Sequence, residues 1–388
     1  MAWKVTNAVD ERFRFVLEDR AGESTFAELC RNYGISRKTG YKWRERYGEN
    51  PSPTSLVDKP RVPNTSPLET STEMALEIVR LRHLHPFWGP LKLEAILRRE
   101  HPPEVVPRPR TVARILERAG LIEKRRRIRG CAPGRLKQAI VPEKPNDLWT
   151  TDFKGWWRTK DQVKCEPFTL RDDWSKFILA AYPMASNRSE LVMELMTDIF
   201  RRYGLPLVIR SDNGPPFANA LSPLGLTRLS VWWLALGIRL HRIAPGHPEQ
   251  NGSHERPHLD IKKEIQWRPE SNLNSQRNVL QDWRQEFNHV RPHQAPEQRT
   301  PAEFYEPSPR VFPEGSLQVT YPATFESRRV TPTGYVKFRN TSCFITEALA
   351  GWDIGIQRLP GRLQIWFTDV CLGETDLGWS ERIRPLND

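Results

Sequence analysis

The sequence predicts a multidomain protein in which two all-α modules precede a central α/β domain and a small β-barrel. Three observations predict this order. The chain has 388 residues, which is too long for one ordinary hydrophobic core. Its apolar periodicity is helical up to about residue 123 and becomes strand-rich from Asn146 onward. Its 34 prolines favour linkers and turns between several small cores.

The first predicted module, residues 8–48, contains a helix-turn-helix in the stretch TFAELCRNYGISRKTGYKWRERY. Leu29 and Tyr33 fall on one helix face, and Gly34 permits the tight turn. Ser36 caps the basic helix that follows. Such a helix suits a phosphate-lined groove, so its cations are predicted to contact DNA: Arg37, Lys38, Lys42 and Arg44.

Two residues are unusual for a helix-turn-helix. Cys30 stands where a small Ala or Gly is usual, and Gly40 costs a helix interior about 1 kcal/mol. The alternative interpretation of this module is therefore a plain three-helix packing unit.

A Pro/Ser-rich linker is predicted over residues 49–71, and a second helix-turn-helix module over residues 72–123. Arginines on the last helix of this module are predicted to contact DNA: Arg110, Arg114 and Arg118. Residues 124–145 form a predicted basic linker. Its cations are a further set of predicted DNA contacts: Lys124, Arg125, Arg126, Arg127 and Arg129.

The charge of the chain points to a polyanionic partner. The formal net charge is +12, and residues 101–145 carry twelve Lys and Arg against four Glu. A solvated basic face is the alternative explanation of the run. The five cysteines are scattered, without a CxxC pair, so neither a disulfide framework nor a zinc finger is indicated and a reducing cytoplasm fits. No apolar run reaches the roughly 18 residues that span a bilayer.

Residues 146–305 form the predicted central domain. The stretches LWTTDFKGWWR, CEPFTLRDDW and KFILAAYPM are β-rich and predict an antiparallel meander. Helices and further strands then alternate, and the order βββαβαβα is that of the ribonuclease H-like fold. Residues 318–388 contain five short strand patterns with Gly-containing turns, which predict a small SH3-like β-barrel.

Two acids in the central domain stand where carboxylates can bind a metal. Asp152 lies within a strand pattern, where an acid is costly unless it is solvated, paired or metal-bound. Asp212 ends the strand LVIRSD, immediately before a sharp turn at Asn213 and Gly214. Adjacent parallel strands would bring both carboxylates to one sheet edge, where Mg²⁺ accepts such oxygen ligands.

The third ligand is expected at the start of the helix that follows the next strand. Glu255 is the acid at that position in PGHPEQNGSHERPHLDIKKE. Glu249 lies in the preceding loop and is more typical of a solvated or capping acid, so it is the alternative. Asp260 and Glu264 share a helix face with each other but not with Glu255.

Four motifs resemble the integrase core of bacterial insertion-sequence transposases, in the superfamily of retroviral integrases with a DDE triad. They are TTDFKGWW, SDNGPPFA, PGHPEQNGSHERPH and NHVRPHQAP, and the resemblance runs from about residue 10 to about residue 305. It implies that Asp152, Asp212 and Glu255 bind two Mg²⁺ ions, with Mn²⁺ able to substitute. It also implies that Lys262 contacts the DNA end, and Asn213 and Asn251 within the motifs are further predicted DNA contacts.

The resulting hypothesis is a DNA transposase that binds element ends, cleaves their 3′ ends and transfers them into target DNA. A homo-oligomeric synaptic complex on double-stranded DNA is implied, in the bacterial cytoplasm and at the nucleoid. The alternatives are a transposase-derived DNA-binding regulator and a structure-selective nuclease of the same fold. The chain departs from retroviral integrases because it lacks their zinc-binding His/His/Cys/Cys module. Pro257 further requires the helix of Glu255 to begin near His254 or to be kinked.

Overall fold

The chain divides into two units, Met1–Glu69 and Thr70–Asp388, in a computed structural model. The structure describes residues 7–59, 69–122, 140–219, 222, 225–244, 252, 254–293, 298–339, 341–379 and 383–384. Within these residues, no helix combines the length and the apolar character that crossing a membrane requires.

The first unit contains three helices, α1 (Ala8–Ala21), α2 (Phe26–Asn32) and α3 (Arg37–Glu49). Thr25 and Glu28 form a capping box at the start of α2, and the Ser36 side chain accepts a hydrogen bond from the Thr39 amide at the start of α3. Gly34, with φ of +62°, makes the turn between these two helices. The buried side chains between the helices are Phe15, Val16, Leu29, Cys30, Trp43, Tyr47 and Leu56.

The two unusual residues of this unit pack against each other. A Cβ atom on Gly40 would lie 2.7 Å from the Cys30 sulfur, 2.9 Å from the Phe26 ring and 3.0 Å from the Phe15 ring. The backbone of α3 therefore approaches α2 more closely than any side chain at position 40 allows. The close packing that glycine permits offsets the helix propensity that it lacks.

Gly40→Ala is expected to destabilise the first unit by about 1–3 kcal/mol, because the added methyl group overpacks the core. Hydrogen exchange of the α2 and α3 amides in the full chain measures the change. Gly48→Ala in the same helix is the matched control, because its Cβ would meet nothing within 4 Å. That change should be neutral or stabilising by up to about 1 kcal/mol. Similar effects of the two substitutions would contradict the packing argument.

The first unit extends into the predicted linker of residues 49–71. Pro53–Leu56 form a 3₁₀ helix, and Leu56 is completely buried. The Arg12 guanidinium donates hydrogen bonds to the Leu56 carbonyl at 2.8 Å and to Asp58 at 3.1 Å. The start of this Pro/Ser-rich stretch is therefore part of the folded unit, and residues 60–68 lie outside the described residues.

The second unit begins with α4 (Thr72–Leu84), α5 (Pro90–Glu100) and α6 (Pro109–Arg118). We call these three helices the second helical module. Gly89 and Pro90 begin α5, and Arg108 and Pro109 begin α6, with each proline in the first turn, where it is tolerated. The module has its own core, formed by Met74, Ile78, Leu81, Trp88, Leu93, Ile96, Leu97, Val106, Val112 and Leu116.

The central domain is built on one mixed β-sheet, which confirms the prediction of an α/β core. Its strands are β1 (Leu148–Phe153), β2 (Trp157–Arg158), β3 (Lys164–Asp172), β4 (Ile178–Met184), β5 (Val208–Ser211) and β6 (Arg239–Arg242). Strands β1, β3 and β4 form the antiparallel meander, and β5 and β6 continue the sheet in parallel with β1. The domain's helices are α7 (Ser189–Tyr203), α8 (Arg228–Ala235), α9 (Glu255–Ile261) and α10 (Leu273–His289).

Helices cover both faces of this sheet. One core lies against α7 and α8 and includes Trp149, Phe168, Phe200 and Trp233. The other core lies against α9 and α10 and includes Cys165, Ile178, Ile261, Leu280 and Trp283. This packing fixes the carboxyl edge of β1 and β5 relative to the start of α9.

The C-terminal region contains six strands: β7 (Phe325–Arg329), β8 (Tyr335–Phe338), β9 (Thr341–Phe344), β10 (Asp353–Leu359), β11 (Arg362–Phe367) and β12 (Val370–Asp376). They form a four-stranded sheet in the order β12-β11-β10-β7 and a separate hairpin of β8 and β9. Both share one core with Leu226, Val231 and Leu234 of the central domain. No ladder links the hairpin to the sheet within the described residues, so closure into a barrel stays a prediction.

Candidate catalytic site

The parallel pairing of β1 and β5 places two aspartates side by side. The register aligns Leu148 with Val208 and Thr150 with Arg210. Two residues farther along, Asp152 stands beside Asp212, at the carboxyl ends of both strands. Both side chains are half-buried. The sheet therefore produces the juxtaposition that the sequence predicts for these two acids.

The electrostatics of this pair favour a bound cation. Burial and the neighbouring charge of Asp212 raise the pKa of Asp152 to about 7. Burial also raises the pKa of Asp212, although the Gly214 amide, at 3.3 Å, partly offsets this. Across the described part of the chain, no lysine or arginine forms a salt bridge with either aspartate. Two adjacent carboxylates whose repulsion is offset only in part by the charge of Lys154 are a donor set that fits a divalent metal ion.

Glu255 is the first residue of α9, directly after His254. Pro257 lies in the first turn of this helix, where proline is tolerated, so the helix needs no kink to contain it. The Glu255 side chain is exposed. Its ligand atoms do not converge with those of Asp152 and Asp212 to within 4.8 Å of one another. In this structure Glu255 therefore does not form one cluster of ligand atoms with the two aspartates.

A threonine fixes α9 against the strand that carries Asp152. Thr169 lies opposite Asp152 in the β1–β3 register, and its hydroxyl donates to the Asp152 carbonyl at 2.9 Å. The same oxygen is 3.1 Å from His254 Nδ1 and 2.8 Å from His258 Nε2. Because the hydroxyl proton is already used, both histidines must donate to Thr169. This arrangement positions Glu255, which lies between the two histidines.

Both histidines are neutral in this environment. Burial lowers the pKa of His258 to about 3 and that of His254 well below its usual value. His258 Nδ1 then carries a lone pair and lies 3.9 Å from the Asp152 carboxylate. It cannot neutralise that acid, so the negative charge of the aspartate pair remains available for a metal ion. The contact of Thr169 with both histidines depends on the pairing of β1 with β3, which the sequence alone does not show.

Lys154 and Lys262 lie together at the edge of this site. Lys154 follows Asp152 by two residues, and its amine is 3.4 Å from the Gln266 side-chain oxygen. Burial lowers the pKa of Lys154, and the positive charge of Lys262 lowers it further. Lys262 is exposed and begins a π-helical turn, Lys262–Gln266, that continues α9. Lys263 faces a different surface, a cavity beside the α4–α5 turn.

Asp260 and Glu264 have a structural role on the opposite side of this helix. Arg291 donates to Asp260 at 3.1 Å, to Glu264 at 2.7 Å and to Glu286 at 3.1 Å. We call these four residues the Arg291 cluster. Arg291 is only 1% exposed, so the cluster is a buried ion-pair network. All three acids bond to this buried arginine, which gives them a structural role separate from that of Asp152 and Asp212.

The second helical module packs against the Arg291 cluster. Trp88 is 2% exposed, and its ring lies 5.8 Å from the Arg291 guanidinium. His85 stacks on Trp88 at 3.8 Å, and its Nδ1 atom is 3.7 Å from Glu286. Arg99 of α5 donates to the Gln298 carbonyl at 3.2 Å. The module is therefore anchored to the part of the domain that follows Glu255.

The predicted DNA-contacting residues differ in their exposure and in their bonding partners. Arg37, Lys38 and Lys42 of α3 are exposed. Arg44 of the same helix is bonded to Asp19 and lies over the Phe26 ring, so it serves the packing of its own unit. The α6 arginines, Arg110, Arg114 and Arg118, are also exposed.

The Asn213 side chain links two loops at the edge of the central-domain sheet. It donates to the Ile243 carbonyl at 2.7 Å. Other predicted residues lie outside the described part of the chain: Glu249, Asn251, Lys124, Arg125, Arg126, Arg127 and Arg129. Their predicted roles rest on the sequence alone.

Comparison with known proteins relates this site to one family. Residues 142–248 and residues 236–301 both match the integrase core domain. The chain is 28% identical over 235 residues to the 31.7 kDa protein of insertion element IS407 from Burkholderia multivorans, covering 60% of this chain and 80% of that protein. It is 27% identical over 245 residues to the 39.2 kDa protein of insertion element IS476 from Xanthomonas euvesicatoria, covering 62% and 67%.

Viral proteins are similar to parts of the chain. The Gag-Pol polyprotein of avian reticuloendotheliosis virus is 32% identical over 140 residues, which is 36% of this chain and 10% of the polyprotein. The HTLV-2 integrase catalytic core domain, solved in complex with magnesium, is 19% identical with a TM-score of 0.33, covering 43% of this chain and 100% of that one. A chain of the simian T-cell lymphotropic virus intasome is 16% identical with a TM-score of 0.37, covering 80% and 100%.

Proposed function

We propose that this chain, which belongs with the transposases of bacterial insertion elements that carry an integrase core domain, cleaves the 3′ ends of its element and joins them to target DNA. The observation that carries this proposal is the pair of Asp152 and Asp212 at one sheet edge, beside the helix that begins with Glu255. Two neighbouring carboxylates with a raised pKa and no salt bridge to a lysine or arginine among the described residues favour a divalent metal ion.

Asp152, Asp212 and Glu255 would hold two Mg²⁺ ions, and Mn²⁺ can replace them. When bound, the metal supplies the positive charge that phosphoryl transfer to water or to a 3′ hydroxyl requires. The contribution of the protein itself is to position the acids. Thr169 and the two neutral histidines hold the start of α9 against β1, and thereby hold Glu255 at the edge of the site.

Lys262 and Lys154 are the cations beside the acids. Because Lys262 is exposed and close enough to Lys154 to lower its pKa, it can bind a DNA phosphate that approaches the site. The remaining DNA contacts proposed are the exposed basic residues of α3 and α6. Because both ends of an element must be processed together, we further propose a homo-oligomeric complex on double-stranded DNA, at the bacterial nucleoid.

Mg²⁺ is expected to stabilise the protein more at pH 8 than at pH 6. The folded-state pKa of Asp152 is raised to about 7, so without metal the stability it contributes at low pH is lost as the pH rises through 7. A proton on Asp152 competes with metal, which weakens the apparent affinity at pH 6 about tenfold relative to pH 8. Thermal unfolding of the DNA-free protein at a fixed, subsaturating Mg²⁺ concentration measures this difference.

Asp152→Asn should remove both the stabilisation by Mg²⁺ and its dependence on pH. Asp198→Asn, which changes an exposed acid of α7 whose ion-pair partner among the described residues is Arg201, is the control and should retain both. Equal shifts of the melting temperature at the two pH values in the unmodified protein would contradict the assignment of Asp152 as a ligand.

A strand-joining assay tests the proposed function. The protein is incubated with Mg²⁺, a duplex that carries the end of its own element and a supercoiled target plasmid. Cleaved 3′ ends that become covalently joined to the plasmid are the expected product. Cleavage without joining would indicate a structure-selective nuclease, and specific binding without cleavage would indicate a DNA-binding regulator. Either outcome would overturn the proposal.

A further inference from the structure

A groove runs between the second helical module and the start of α9. Two adjoining cavities of about 550 and 750 Å³ form it, and both are lined by Gly89, Pro90 and Arg256. The first cavity reaches Arg110 on α6, and the second reaches Lys263 beyond α9. The groove therefore connects a predicted DNA-reading helix with the residue that directly follows Glu255.

The lining of this groove is strongly basic. The charged residues that line the two cavities are all cations: Arg82, Lys92, Arg110, Arg256 and Lys263. None of the described residues along it is acidic. Burial, with a smaller contribution from the charge of Arg291, lowers the pKa of Lys92 to about 8. A row of cations costs self-repulsion that a polyanion relieves.

Arg256 is oriented into the middle of the groove. Its Nε atom lies 3.2 Å from the Asp260 carboxylate, which Arg291 holds from the other side at 3.1 Å. The Arg256 side chain is nevertheless 64% exposed. In the described part of the chain, no acceptor is bonded to its terminal nitrogens. A guanidinium fixed at Nε and open at both terminal nitrogens presents the fork that binds phosphate oxygens.

The walls of the groove are held together without DNA. Trp88 and Lys92, on its module side, pack beside Arg291, and Arg99 ties α5 to the segment around Gln298. The groove is thus preformed, so binding in it does not require the module and α9 to be ordered first.

We propose that this groove binds the phosphodiester backbone of the element end, between the segment contacted by α6 and the phosphate that is cut, with Arg256 as the central phosphate contact. The inference rests on the proposed function, because it assumes that one DNA end reaches both α6 and the acids. The groove runs from Arg110 of α6 to Arg256, the residue that follows Glu255. A DNA backbone lying in it would therefore pass from α6 toward the acids. A phosphate bound by Arg256 would fix the DNA relative to the start of α9.

Binding of the element-end duplex, measured over a range of salt concentrations with Ca²⁺ in place of Mg²⁺, tests the inference. Arg256→Gln should weaken binding and reduce the slope of log affinity against log salt by about 0.9, the value for one phosphate contact. Arg239→Gln is the matched control, because this exposed arginine lies at the start of β6, the sheet edge opposite the acids. It should leave the slope unchanged.

Neutral methylphosphonate linkages, placed one at a time along the duplex, locate the contact. One position between the α6 footprint and the cut should weaken binding of the unmodified protein but not of Arg256→Gln. An unchanged slope in a folded Arg256→Gln protein, or equal sensitivity of both proteins at every position, would overturn the inference while the proposed function stands. If the unmodified protein fails to bind the end duplex at all, the proposed function itself fails.

Discussion

Asp152→Asn, Asp212→Asn and Glu255→Gln are each expected to abolish cleavage and joining while binding of the element end persists. Each substitution keeps the size of the side chain but removes a negatively charged metal ligand. Charge stabilisation at a metal site amounts to several kcal/mol, and each 1.4 kcal/mol or so is a factor of ten in rate. The activity should therefore fall by about three orders of magnitude or more.

Gel assays of end cleavage and strand joining measure this loss, and electrophoretic mobility shifts measure end binding. Glu190→Gln, on the exposed face of α7, is the control and should keep both activities. Strand joining retained by the Glu255 variant would reassign the third ligand, and Glu249 would be the next acid to test. Joint loss of binding and activity in a folded Asp152→Asn protein would instead place this aspartate in the DNA interface.

The two aspartates could be predicted because their positions depend on local patterns. Asp152 lies within one β-rich stretch and Asp212 ends another, and the sequence order of strands and helices makes those strands parallel neighbours. The helical phase of α9 can also be derived from the sequence. Seven residues bring the chain round to the face of Glu255, which places Lys262 on that face and Lys263 off it. The structure brings Lys262 to Lys154 and turns Lys263 toward the second helical module.

Residues whose role depends on a distant partner could not be predicted. Thr169 meets His254 across 85 positions of sequence, and Arg291 meets Asp260 across 31. A single sequence carries no signal for such pairs. Strand β7 was missed for a different reason, because FESRR is polar and lacks the alternation that marks a half-buried strand. Arg44 is a further residue whose partner the sequence does not show. Its position on a basic helix predicts a contact with DNA, but its side chain bonds to Asp19.

Arg291→Met is expected to cause the largest loss of stability, about 3–5 kcal/mol, because it removes the buried cation that three acids share. Asp260 and Glu264 keep only 4% and 15% of their side chains exposed, and both bond to Arg291. Methionine fills a similar volume between the Trp88, Trp283 and Phe287 rings, so the loss reports charge rather than a cavity. Urea unfolding followed by hydrogen exchange at α9 and α10 measures it.

Arg291→Lys separates the contribution of charge from that of geometry. Lysine restores one positive charge but cannot donate to three carboxylates in the fixed fork of a guanidinium, so an intermediate loss is expected. Arg268→Met, at an exposed position just after the π-helical turn, is the control and should change stability by less than about 0.5 kcal/mol. A loss below about 1 kcal/mol in Arg291→Met would mean that water or protonation neutralises the acids. In that case Trp88 and Arg99 would anchor the second helical module to the central domain without the Arg291 cluster.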